Sequence, residues 1–98
     1  MKITDIATAI NKLSENDLEK LAENLDFKTS DNLYRILHMP YVKEDVEQMI
    51  KDLEIDTSAY NLECFIDDCA SRYVYDGDYD CNLSYWQNLE NIIRNEIN

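Results

Sequence analysis

Leu62-Glu63-Cys64-Phe65-Ile66-Asp67-Asp68-Cys69-Ala70-Ser71-Arg72-Tyr73 decides the fold class of this chain. Leu62, Phe65, Ile66, Cys69, Ala70 and Tyr73 recur at intervals of three and four, the period that aligns side chains on one stripe of an α-helix. Asp67 and Asp68 fall on the opposite side. Outward in both directions the same period returns: Val46, Met49, Ile50 and Leu53 upstream, and Trp86, Leu89, Ile92, Ile93 and Ile97 downstream. One glycine, Gly77, and one proline, Pro40, are too little turn punctuation for a mostly β domain. The fold predicted is all-α: a compact bundle of about five or six short helices with an acidic loop before the C-terminal helix.

Cap and breaker residues place the boundaries. Thr4 is expected to cap a first helix that buries Ile6, Ala9, Ile10 and Leu13, and Ser14-Glu15-Asn16-Asp17 has the form of a capping box opening a second with Leu18, Leu21, Ala22 and Leu25. Thr29 or Ser30 is expected to cap a third helix bearing Leu33, Tyr34, Ile36 and Leu37. Pro40 is expected to stop it, because proline lacks an N–H and pushes Met39 out of the α region. His38 then stands at a helix C-terminus, where an imidazole meets the last carbonyls. A fourth helix is predicted from about Val42 to Leu53, a fifth capped by Thr57 or Ser58, and a last one capped by Asn82 or Ser84. Residues 74–82, with the only glycine among aspartates, read as a loop. Ninety-eight residues suffice for a single helical domain, 1–98, with one core.

Charge narrows the function. With 21 acidic and 9 basic residues the formal charge is −12, and residues 53–93 hold a single base, Arg72, against nine acids. Such a field repels phosphate backbones and anionic lipid and is drawn to basic surfaces, so neither direct nucleic-acid binding nor membrane attachment is expected. An apolar fraction of 45% at regular spacing argues against disorder. The N-terminal residues reach polar Asn11 and Lys12 before any signal-like apolar core forms, and no 18-residue apolar run occurs, so the protein is expected to be cytoplasmic. Cys64, Cys69 and Cys81 are odd in number and lack a CxxC pair, which fits reduced thiols.

Specific chemistry finds little support. Asp76-Gly77-Asp78-Tyr79-Asp80 begins like a calcium loop, but Cys81 stands where that loop needs glycine and Gln87 where it needs a bidentate glutamate. The sole histidine, His38, is remote in sequence from all three cysteines, and their spacing lacks the close pairs of a zinc site. No catalytic residue, metal site or cofactor is predicted, and the chain is read as a non-enzyme. A binding surface is better supported. Glu63, Asp67, Asp68, Asp76, Asp78 and Asp80 supply carboxylates, and Tyr75 and Tyr79 supply large contact area at small entropic cost. These eight residues are the predicted partner-binding site.

In type, the chain resembles the small acidic inhibitors that phages and mobile elements make against host nucleic-acid enzymes, the anti-CRISPR and DNA-mimic proteins. Size, charge and the acidic, tyrosine-bearing stretch from Glu54 to Glu90 carry the resemblance; no motif is shared. It implies an inhibitor in the host cytoplasm, monomeric or a small homo-oligomer, that occupies the basic DNA-binding or PAM-reading surface of a defence nuclease. An antitoxin or immunity protein for a basic nuclease would use the same physics. A structural or regulatory adaptor that dimerises through apolar helix faces is the third reading.

Overall fold

The computed structural model describes residues 2–97, and all regular structure among them is helical. The elements are α1 (Ile3–Asn11), α2 (Glu15–Asn24), α3 (Phe27–Asp52), α4 (Leu62–Val74) and α5 (Tyr85–Ile97). The chain divides into two compact units, Met1–Leu33 and Tyr34–Asn98.

In the first unit, α1 begins one residue before Thr4, so Thr4 does not cap it; its carbonyl accepts from the Thr8 hydroxyl at 2.8 Å. Ser14 does cap α2, its Oγ accepting from the Asp17 N–H at 3.2 Å. No residue of either helix is buried. Ile10, Leu13, Leu21 and Leu25 are half-buried, whereas Ile6 and Ala9, expected inside, are exposed. Helices of nine and ten residues offer too little facing area to seal a core.

The two helices expected on either side of Pro40 are one. Proline costs about 3 kcal/mol inside a helix, through a lost hydrogen bond and a clash with the carbonyl four residues back. Here that carbonyl belongs to Ile36, and both Ile36 and Pro40 are exposed, so the break in hydrogen bonding falls on the outer face of the helix and not in the core. Val42, Val46, Met49 and Ile50 follow on one buried face and hold the chain helical beyond the proline. The cap also lies earlier than Thr29 or Ser30. Asp26 Oδ1 accepts from the Thr29 N–H at 2.7 Å, and this bond holds the Asp26 carboxyl below the usual range. At the other end Ile55 N–H reaches back to the Ile50 carbonyl at 3.0 Å, with Glu54 in left-handed conformation where glycine is the usual residue.

The core of the second unit joins that face of α3 to Phe65, Cys69 and Ala70 of α4 and Leu89, Ile92 and Ile93 of α5. Asn61 caps α4 through the Cys64 N–H at 3.0 Å, in place of Thr57 or Ser58. Ser84 and Gln87 close a reciprocal capping box on α5, at 3.1 and 3.0 Å. Trp86, expected in the core, is 49% exposed. The inward stripe of α5 is instead centred on Tyr85, Asn88, Leu89 and Ile92, because the polar Asn88 belongs to it.

Candidate functional site

The loop between α4 and α5 carries most of the predicted binding residues, and its backbone is tied at several points. Tyr75 and Asp76 N–H groups both return to the Ser71 carbonyl, and Asp78 N–H reaches the Arg72 carbonyl at 3.0 Å. Gly77 makes this wrap possible with a φ of 63°; a side chain there would meet little, so the backbone conformation is what requires glycine. Beyond it, Asn88 holds the far end of the loop. Its Oδ1 accepts from the Asp80 N–H at 2.8 Å and its Nδ2 donates to the Asp80 carbonyl at 3.0 Å, which satisfies a buried amide inside an apolar stripe.

Arg72 is the central electrostatic element. Its guanidinium bonds Asp78 through Nε at 3.0 Å and also through Nη2, and bonds Glu96 of α5 through Nη1 at 2.7 Å. Those two carboxylates, led by Glu96, raise the Arg72 pKa further above its ordinary value. One fork thus joins the end of α4, the loop and the end of α5.

The predicted acids consequently divide by role. Asp78 is held by Arg72, Asp67 pairs with Lys43 of α3 at 2.7 Å and raises the lysine pKa, and Asp80 Oδ1 accepts from the Asn82 N–H at 2.8 Å. Among the described residues, the carboxylates of Glu63, Asp68 and Asp76 make no hydrogen bond or ion pair, and all three are exposed. Their charges are uncompensated by any hydrogen bond or ion pair, although Glu63 lies near enough to Lys43 to add to the rise in its pKa. Tyr75 sits at the end of α4, where its carbonyl accepts from Arg35 at 3.0 Å, and its side chain is 44% exposed.

Tyr79 turns toward a cleft of about 420 Å³, a volume typical of small-ligand sites. Tyr73 of α4 and Tyr85 of α5 form its half-buried part, with Tyr34 and Tyr41 of α3 more exposed at its rim. The Tyr73 ring lies 4.9 Å from Tyr79 and 5.3 Å from Tyr85, the latter at 82°, so adjoining walls stand nearly at right angles. Asp45 is the cleft's carboxylate, and its Oδ2 accepts from the Tyr85 hydroxyl at 2.7 Å. Burial, then that hydrogen bond, push the Tyr85 phenol well above its ordinary value; burial raises Tyr73 as well. No lysine or arginine lines the cleft.

Tyr34, Tyr41 and Asp45 were not among the predicted site residues. With His38 they form a stripe at 34, 38, 41 and 45, spaced four, three and four, which shares one helix face. The signal was present but required α3 to be continuous; a helix ended at Pro40 severs the phase between Tyr34 and Asp45. His38 accordingly lies within α3, not at a helix end, with its ring 4.1 Å from that of Tyr34.

As for reactivity, all three cysteines are free thiols. Cys69 is wholly buried, and burial pushes its pKa up to about 12, which makes it a poor nucleophile. Among the described residues no group of three or more His, Cys, Asp or Glu side chains is arranged to hold a metal ion, and no helix is long and apolar enough to cross a membrane. Comparison with protein-family models, curated protein sequences and solved structures finds no match.

Proposed function

We propose that this chain is a non-enzymatic, protein-binding inhibitor that occupies a basic nucleic-acid-binding surface of a host defence nuclease through acidic mimicry, in the anti-CRISPR manner. The observation that supports the reading is the acidic loop of residues 75–80, tied to Arg72 and Asn88 and therefore ordered before any partner arrives. Order of that kind removes part of the entropic cost of association. A net charge of −12 accelerates encounter with a basic surface, and exposed tyrosines prolong the contact once it is made.

The test is affinity capture from host lysate, followed by displacement with double-stranded DNA and with salt, using the wild-type chain and a Glu63→Lys, Asp68→Lys, Asp76→Lys variant. These three sites avoid Asp78 and Asp80, whose bonds shape the loop. A nuclease that is retained by the wild type, lost by the variant and displaced by its own nucleic acid supports the reading. Equal retention by both chains refutes the acidic face.

A second reading, an adaptor that dimerises through an apolar face, is favoured by Ile36 and Leu37 of α3, which are 59% and 60% exposed. Sedimentation equilibrium separates the two: a dimer that Leu37→Glu dissociates supports the adaptor, and a monomer removes it.

A further inference from the structure

We infer that the tyrosine cleft is a receptor for an arginine side chain of the protein's partner. This rests on the basic-partner reading and adds the group that the partner inserts. The walls are five tyrosines, from α3, α4, the loop and α5, with His38, Val42 and Val74 between them, and the lining contains one carboxylate and no lysine or arginine. Aromatic faces carry negative potential, and a planar guanidinium stacks on them while pairing with a carboxylate through its fork. Asp45 is placed for that second contact. The Tyr85 hydroxyl bonds Oδ2 alone, which leaves Oδ1 as an acceptor beside the rings.

Charge complementarity selects the occupant. A neutral apolar side chain would leave the Asp45 carboxylate desolvated without a counterion, at a cost that a cation avoids. Between the natural cations, arginine is the less strongly hydrated and has a planar face that can lie on one exposed ring while its N–H edge turns toward the carboxylate. The chain's own nearby guanidinium does not fill this role, because Arg35 donates to the Tyr75 carbonyl and does not line the cleft.

The experiment titrates the full chain with the capped tripeptide Gly-Arg-Gly, its citrulline counterpart and its trimethyllysine counterpart, reading tyrosine ring signals by NMR. The Asp45→Asn chain is titrated in parallel. Asparagine still accepts from the Tyr85 hydroxyl, so that variant keeps the fold, which its helical circular dichroism checks. Saturable shifts at Tyr73, Tyr79 and Tyr85 with the arginine peptide are expected, with affinity at least about tenfold weaker for citrulline and for Asp45→Asn. Absence of saturable shifts overturns the inference, as does equal binding of citrulline, preference for trimethyllysine, or shifts confined to the neighbourhood of Glu63, Asp68 and Asp76. Capture of a basic partner by Asp45→Asn at wild-type level, with wild-type dissociation, overturns the cleft alone and leaves the acidic-face reading standing; no capture by either chain overturns that reading instead.

Discussion

Arg72→Gln removes the guanidinium that holds the loop to two helices. The side chain makes two hydrogen bonds to Asp78 and one to Glu96, at side-chain exposures of 29% for Arg72, 51% for Asp78 and 31% for Glu96. Sheltered hydrogen bonds between charged groups contribute about 1.5–3 kcal/mol each, whereas exposed ion pairs contribute about 0–1. The observed exposures lie between those cases and nearer the second, so the loss is about 1–2 kcal/mol for the whole fork. In a domain of this size that lowers Tm by roughly 5–15 °C. Thermal unfolding followed by circular dichroism reads the stability, and amide hydrogen exchange reads the loop. The Asp78 N–H, bonded to the Arg72 carbonyl, should exchange faster in the variant while core amides of α5 change only with global stability. Arg72→Lys restores the charge without the fork and should fall between the two. A Tm within about 2 °C of wild type, with unchanged exchange at Asp78, would refute the clamp.

Other perturbations probe separate features. Asn88→Ala removes the buried amide that bonds both the N–H and the carbonyl of Asp80 and should cost about 1–3 kcal/mol in urea unfolding. Pro40→Ala restores an N–H for the Ile36 carbonyl and should stabilise the second unit by about 1–3 kcal/mol with a gain in helical signal; destabilisation would argue for a break at that site. Stability should fall in alkali. The Cys69 thiol, ordinarily near 9.0 and raised to about 12, keeps its proton when folded and loses it when unfolded, so its contribution is full below pH 9 and lost as pH rises through 12. That amounts to about 2 kcal/mol between pH 7.5 and 10.5, with Tyr73 and Tyr85 adding to the loss above pH 10. Cys69→Ala should abolish the thiol's share; an unaltered slope would mean that the thiol is not protected.

The sequence predicts the structure where local rules and tertiary packing agree. The three-and-four spacing of Phe65, Cys69 and Ala70, and of Leu89, Ile92 and Ile93, marked the core faces of α4 and α5, and Gly77 marked the loop. It fails where a distant contact outweighs a local preference. Burial of Val42 and Val46 carries the helix past Pro40, a long-range gain invisible to a rule about one residue and its neighbour. That single break also concealed the cleft, whose Asp45 and Tyr85 are forty residues apart in sequence. The acids were legible as charges and not as roles. Nothing local distinguishes Asp76, which is unpaired, from Asp78, whose partner is set by the turn at Gly77 and by the reach of Arg72.

The short connection between α4 and α5 also bears on how the chain reaches its folded state. The two helices are the most closely associated pair, and Tyr75–Ser84 spans only ten residues, so bringing them together costs little loop-closure entropy. Arg72 has its partners six and twenty-four residues away, so its bonds lie within this pair and involve no residue of α3. The Asp45–Tyr85 bond, by contrast, must close a loop of forty residues. Loop-closure entropy predicts an early α4–α5 nucleus in which the loop is already tied, with α3 docking later and completing the cleft. Conservative substitutions at Leu89 should therefore slow refolding, whereas those at Val46 should chiefly speed unfolding.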